Sequence, residues 1–145
     1  MATINASISI SSDISSYPIN INKSMIMKKA GSCHGLEETT GLRTKKFTST
    51  TVAVGVVAAG DLDDNVAHKV YIRNASADKA NFFYISYHAT DAGAADAETI
   101  GKLYGGDWML MPYDGLTNIN AASSTTDTQY LEYMVFADGV TTALG

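Results

Sequence analysis

The chain has 145 residues, of which 46% are hydrophobic and 17% are charged, and its formal net charge is −5. This composition excludes a disordered chain, and the length predicts one domain or one domain with an arm. The single cysteine, Cys33, excludes an internal disulfide, and no Cys/His cluster suggests a zinc site. No signal peptide is visible at the start, and no apolar run approaches the roughly 20 residues of a membrane span. We therefore expect folding in a cytoplasm and no membrane partner.

The charges are distributed unevenly along the chain. Residues 1–50 contain six Lys or Arg and three Asp or Glu. Residues 51–145 contain four Lys or Arg and twelve Asp or Glu. The two parts are expected to attract each other, or oppositely charged neighbours. Nucleic acid is not an expected partner, because the longer part is acidic.

Isoleucines recur at even spacing near the start of the chain, among Ser, Thr and Asn. This period of two predicts an extended N-terminal arm over residues 1–22, with one or two short strands, and a single β-sandwich domain over residues 23–145. The arm would need a sheet edge to pair with, in its own domain or in a neighbour. Its candidate interface residues are Ile4, Ile8, Ile10 and Ile14.

The rest of the chain reads as short β-branched or aromatic runs separated by turn signals. Strands are predicted over 24–29, 42–47, 50–59, 69–73, 82–88, 116–121 and 129–136, with at most a helical turn over 94–99. With the stretch 103–111, we expect about eight short strands, preceded by the extended arm. The pattern predicts an all-β fold, either an antiparallel β-sandwich or a jelly-roll-like barrel.

The stretch 103–115 holds the single tryptophan and the strongest turn signals. Gly105 and Gly106 predict a tight turn between two strands, which makes a hairpin. Trp108 is predicted to anchor the core, so Trp108→Ala would cost about 3–5 kcal/mol. Pro112 is predicted to end regular pairing, because proline cannot donate a backbone hydrogen bond. The full predicted core is Val70, Ile72, Phe82 or Phe83, Ile85, Trp108, Leu110, Leu131, Tyr133 and Val135.

An acidic segment offers oxygen ligands at alternate positions, as a calcium loop does. Asp61, Asp63 and Asn65 would be its first ligands. An EF-hand would then need Gly where Val66 stands and Glu where Ile72 stands. A plain acidic turn is therefore the better interpretation, and no metal site is predicted.

No catalytic constellation is predicted either. Cys33 and His34 are adjacent, and adjacent side chains point apart, while His68 and His88 belong to other elements. Nucleophile elbows, phosphate loops and paired carboxylates are all missing from the sequence. We expect a protein that is not an enzyme and has no cofactor.

Tyrosine is more abundant than a small core needs. Tyrosines are enriched at interfaces and at sugar-binding faces, because the ring packs while the hydroxyl stays hydrated. The alternative is that most of them cap the core. The candidates for exposure are Tyr71, Tyr84, Tyr87, Tyr104, Tyr113 and Tyr130, and Tyr104 and Tyr113 are added to the candidate interface residues.

Five segments together resemble a known group of proteins. They are Ala-Thr-Ile-Asn-Ala-Ser-Ile-Ser-Ile-Ser-Ser at 2–12, Thr-Thr-Gly-Leu at 39–42, Lys-Val-Tyr-Ile-Arg-Asn at 69–74, Ile-Gly-Lys-Leu-Tyr-Gly-Gly-Asp-Trp at 100–108 and Leu-Glu-Tyr-Met at 131–134. They are similar to small virion structural proteins of tailed bacteriophages, especially phages of marine cyanobacteria. The segment after Phe83, with Ala-Gly-Ala-Ala-Asp, departs from the resemblance.

The resemblance implies a β-sandwich subunit present in many copies on a virion. Such a subunit would be a capsid decoration or cement protein that binds the head surface and neighbouring subunits. Its expected partners are the major capsid protein or other virion proteins, and further copies of itself, as in a trimer. A tail or fibre component and a free carbohydrate-binding module are the alternatives.

Overall fold

The computed structural model describes residues 4–14, 16–29, 35–36, 38–50, 53–88 and 98–138. The described chain is almost entirely antiparallel β, with a single 3-10 turn at Ala59–Asp61, so the predicted all-β class is confirmed. It has eleven strands rather than about eight. They are β1 (Asn5–Ser12), β2 (Ile19–Ile26), β3 (Glu38–Thr39), β4 (Arg43–Phe47), β5 (Val54–Val57), β6 (His68–Asn74), β7 (Phe82–His88), β8 (Glu98–Tyr104), β9 (Trp108–Tyr113), β10 (Asn118–Ser123) and β11 (Gln129–Ala137).

Two sheets form a β-sandwich. One sheet has the strand order β5-β10-β7-β8; the other has the order β3-β11-β6-β9, with β4 also paired to β11. Their inner faces meet in one core, where the rings of Phe47 and Phe83 lie edge to face with centroids 4.9 Å apart. Val70, Ile72, Phe83, Ile85, Leu131 and Val135 are buried there as predicted, and Tyr133 packs against them half-buried.

Part of the higher strand count comes from a break in one edge of the five-stranded sheet. Strands β3 and β4 both pair with β11 but are separated at Thr40, where the Val135 N–H donates to Thr40 Oγ1 (3.0 Å). The Thr40 N–H donates in turn to the Val135 carbonyl (3.1 Å). Gly41 follows with φ +67°, a conformation that glycine adopts at little cost. The edge therefore continues through a kink.

Several strand bounds differ from the prediction. Strand β2 begins at Ile19, earlier than the predicted strand 24–29, and it includes residue 22, where the arm was predicted to end. Glu98 and Thr99 begin β8 and are not helical, while the rest of the predicted helical turn, 94–97, lies outside the described residues. Among the described residues of the long strand predicted over 50–59, only Val54–Val57 form a strand, β5. Residues 51–52 of the predicted strand lie outside the described residues.

The turn at Gly105 and Gly106 is present, but the predicted hairpin is wrong. Strand β8 belongs to the four-stranded sheet and β9 to the five-stranded one, so the turn carries the chain from one sheet to the other. The buried Asn74 stabilises this corner with two hydrogen bonds. Its side-chain Nδ2 donates to the Leu103 carbonyl (2.9 Å), and its backbone carbonyl accepts from the Gly106 N–H (3.0 Å). A Cβ at Gly105 would collide with the Asp78 carbonyl, so the corner requires glycine there.

The prediction that Trp108 and Leu110 belong to the core is also wrong. Trp108 is 54% exposed and Leu110 is half-buried, whereas Met109 and Met111 pack against the core. Both faces of β9 are apolar, so alternation alone does not tell which face points inward. Tyr113 at the end of the strand is buried, so Met109 and Met111, which share its face, point inward. Trp108 lies on the opposite face and therefore points outward.

Pro112 does not end the pairing of β9, contrary to prediction. It is part of the strand, opposite Lys69 of β6. Proline is tolerated there because β9 is an edge strand, where one side of the backbone needs no partner.

Candidate functional site

The first two strands form a hairpin that is a separate sheet, outside both layers of the sandwich. Strands β1 and β2 pair along their whole length, from Asn5 opposite Ile26 to Ser12 opposite Ile19. Residues directly opposite each other share a face, so Ile8, Ile10 and Ile21 lie on the same side. The apolar face of the hairpin consists of Ala6, Ile8, Ile10, Ser12, Ile19, Ile21, Lys23 and Met25; the other face is mostly Ser and Asn, with Ile26.

The apolar face is open to solvent. Its five large apolar side chains, Ile8, Ile10, Ile19, Ile21 and Met25, each keep 41–45% of their surface exposed. Isolated two-stranded hairpins are marginally stable in water, because one of their faces has nothing to pack against. The described residues therefore leave the apolar face of the hairpin without a full covering.

The base of the hairpin is attached to the rest of the fold. The Met27 N–H donates to the Ile4 carbonyl (2.9 Å), and the Leu36 N–H donates to the Met27 carbonyl (3.1 Å). Met27 and Leu36 are buried, and Lys28 forms an isolated β-bridge with Gly35. The opposite end is free of such packing, since Ile14 in the connecting loop is 87% exposed. The hairpin thus projects from a fixed base.

A groove of about 570 Å³ separates the apolar face from the edge of the five-stranded sheet. Residues from both faces of the hairpin line one side: Ala6, Ser7, Ile8, Ser9, Ile10, Lys23, Ser24 and Met25. Trp108, Met109 and Leu110 of β9 line the other. The groove explains why Trp108 remains exposed, since no described residue fills the space between it and the hairpin. Among the described residues that line the groove, only Lys23 carries a charge.

The predicted interface residues occupy different environments. Ile8, Ile10 and Ile14 are exposed, Ile4 is half-buried at the base of the hairpin, and Tyr113 is buried in the core. The sixth predicted interface residue, Tyr104, is 41% exposed on the four-stranded sheet. Their role at an interface stays a prediction, and Tyr113 offers no surface to a partner.

Sequence reasoning missed the second half of the apolar face and the outward Trp108. Ile19, Ile21 and Met25 continue the period of two seen from Ile4 to Ile10, so the signal was present in the sequence. The prediction places Ile19 and Ile21 in one extended arm and Met25 in a separate strand, whereas all three lie in the second strand of a hairpin.

A cluster of aromatic rings lies on the outer face of the four-stranded sheet. The Phe82 ring is 5.0 Å from that of Tyr84 and 5.1 Å from that of Tyr104, measured between centroids. The Lys102 ammonium lies over the Phe82 and Tyr84 rings, 4.7 Å and 5.1 Å from their centroids. Such a contact is favourable because the ring face carries negative charge. The cluster offers an exposed tyrosine beside a cation.

An open cleft of about 860 Å³ lies at the end of the sandwich near His68. His68 is fully buried; its Nδ1 accepts from the Asp138 N–H (3.1 Å), so its Nε2 carries the proton and donates to the Asp63 carbonyl (2.8 Å). The Tyr113 hydroxyl donates to the Thr117 carbonyl (2.5 Å). Burial, and then the nearby charge of Asp114, raise the pKa of Tyr113 well above its ordinary value. The polar atoms of His68 and Tyr113 thus hold loops together.

The acidic segment forms a turn. Asn65 has φ +60°, its N–H donates to the Asp114 carbonyl (2.8 Å), and the Asp63 carbonyl accepts from His68. Within the described ranges, no three His, Cys, Asp or Glu side chains converge as a metal site would require. Cys33 and His34 lie outside those ranges.

Comparisons of the sequence with protein-family models and with curated proteins, and of the structure with solved structures, found no match. No helix in the described part of the chain is long and apolar enough to cross a membrane.

Proposed function

We propose that this chain is a non-enzymatic structural protein of a virion, a capsid decoration or cement protein that binds the head surface and neighbouring subunits. The observation that carries the proposal is the hairpin, which lies outside both sheets and exposes an apolar face. A contiguous exposed apolar patch on a folded protein marks a surface that another molecule covers. The resemblance of the sequence to virion proteins of tailed bacteriophages supplies the class of partner.

Burying the apolar face of the hairpin would release enough free energy to contribute to assembly. Fully burying an Ile or Met side chain is worth about 1.5–3 kcal/mol. Because the five large side chains are 41–45% exposed, covering them would add about 3–6 kcal/mol per subunit. Association consumes several kcal/mol of such a gain. The hairpin would therefore be a principal, though not the sole, contact of an assembled subunit.

Co-sedimentation with virus heads prepared without this chain tests the proposal. Wild-type protein should bind the heads at saturable stoichiometry. A variant of the apolar face, Ile10→Ser with Ile21→Ser, changes one cross-strand pair and should bind at least tenfold more weakly. A variant of the polar face, Ser11→Thr with Asn20→Thr, changes the adjacent pair away from the groove and should bind like the wild type.

The location on the particle is tested by electron microscopy with gold-labelled protein. Label distributed over the head supports a decoration protein, whereas label confined to the tail indicates a tail or fibre component. A wild-type protein that binds neither part of the particle would overturn the proposed function.

A free carbohydrate-binding module is a second candidate, favoured by the aromatic cluster of Phe82, Tyr84 and Tyr104 beside Lys102. Aromatic rings pack against the apolar faces of sugars, and the tyrosine hydroxyl and ammonium would donate hydrogen bonds. On this hypothesis the protein binds to a glycan array, and Tyr104→Ala abolishes the binding. Tyr130→Ala is the matched control, because Tyr130 is equally exposed but lies on the other sheet.

A further inference from the structure

We propose that the groove between the hairpin and β9 is the seat of a second copy's hairpin, so that two copies stack their apolar faces against each other. The inference rests on the proposed function for its setting, and it deepens that function by naming a neighbouring copy as the partner of the hairpin. Three observations carry it: the apolar face is self-complementary, the groove exposes a strand edge, and the charges of hairpin and body are opposite.

The apolar face matches itself. It presents branched and unbranched apolar side chains at alternate positions of both strands, with Ile10 directly opposite Ile21 and a single charge at Lys23. Two such faces pack about 10 Å apart, as sheets do in a sandwich. A two-fold axis between identical faces closes the contact, because each face is covered by the other and none is left over.

The groove also offers unpaired backbone. Trp108, Met109 and Leu110 all border it, although consecutive residues of a strand point to opposite faces. The groove is therefore bordered by the outer edge of β9, which ends the strand order of its sheet and pairs there with no other described strand. A second hairpin brings free strand edges of its own, and strand edges complete their hydrogen bonding by pairing with each other.

Charge favours a second copy over a flat apolar partner. The described hairpin and its base carry Lys23, Lys28 and Lys29 against Asp13, whereas residues 51–145 carry eight more acidic than basic residues. A hairpin seated in the groove of another copy therefore lies beside a body of opposite net charge. The exposed Asp107 directly precedes Trp108 in the chain, and Arg73 is paired opposite Trp108.

Sedimentation velocity and native mass spectrometry of the purified full chain, without particles, test the inference. The wild type should form a reversible oligomer built from pairs of copies. The apolar-face variant, Ile10→Ser with Ile21→Ser, should raise the dissociation constant at least tenfold. The polar-face variant, Ser11→Thr with Asn20→Thr, should leave it unchanged, because neither residue lines the groove. A wild type that stays monomeric at every accessible concentration, or equal self-association of the two variants, would overturn the inference.

Trp108 provides a second measurement that does not depend on a variant. Because it is the only tryptophan and lines the groove, its emission should shift to the blue as the concentration rises through the dissociation constant. Self-association without any change in this emission would show that the copies contact each other elsewhere, and it would refute the groove as the contact between them.

The two proposals can fail separately. Self-association through the groove without binding to heads would contradict the decoration function and support this inference. Monomers that bind heads would support the function and overturn this inference.

Discussion

The outward position of Trp108 can be tested by comparing two truncations of aromatic side chains. Phe83 is fully buried against Phe47, so Phe83→Ala removes a packed ring and leaves a cavity. Substitutions of this kind cost about 3–5 kcal/mol. Trp108 is 54% exposed and borders an open groove, so less than half of its surface is withdrawn from water and no closed cavity is left. Scaling the same penalty by the buried share gives about 1–2 kcal/mol for Trp108→Ala.

Urea unfolding followed by circular dichroism measures both costs, since Trp108→Ala removes the only tryptophan and with it the fluorescence signal. The protein should be dilute enough to be monomeric, because self-association would add to the apparent stability. Equal slopes of free energy against urea would show that the variants unfold from comparable states. If Trp108→Ala costs as much as Phe83→Ala, Trp108 lies in the core and the described phase of β9 is wrong.

Three further predictions concern the interior. The pKa of Tyr113 is raised in the folded protein, so the unfolded chain loses the Tyr113 hydroxyl proton at a lower pH than the folded chain does. The stability that the protonated Tyr113 contributes is therefore fully present below about pH 10. Above that pH it is lost, by up to about 1.4 kcal/mol per pH unit. Tyr113→Phe should flatten the fall in unfolding free energy measured between about pH 9 and pH 11, and an unchanged slope would contradict this. His68→Phe leaves the Asp138 N–H and the Asp63 carbonyl without their partner and should cost about 2–4 kcal/mol in urea unfolding; a neutral result would show that these bonds contribute little. Gln129 is buried, and its amide has no hydrogen-bond partner among the described residues, so Gln129→Met should stabilise by about 1–3 kcal/mol, with a lowered melting temperature as the opposing outcome.

The candidate site shows how far a sequence pattern reaches. The alternation from Ile4 to Ile14 correctly indicated extended structure with an apolar side, because successive side chains of a strand point to opposite faces. Ile19, Ile21 and Met25 show the same alternation, but their pairing with the first run was not predicted. Pairing between two runs depends on the loop that connects them. The groove beyond the hairpin could not be predicted, because it depends on where the edge of a distant sheet lies.

The all-β class could be predicted from local sequence, because β-branched and aromatic runs separated by turn residues favour strands and offer no 3.6-residue period. The turn at Gly105 and Gly106 could be predicted in the same way, since it needs residues without a Cβ. That this turn joins two sheets and that Trp108 points outward depends on tertiary contacts. The physical reason is that local alternation defines two faces of a strand, whereas contacts with residues far along the chain decide which face is buried. His68 and Asp138, 70 positions apart and joined by one hydrogen bond, are held together only by the folded sandwich.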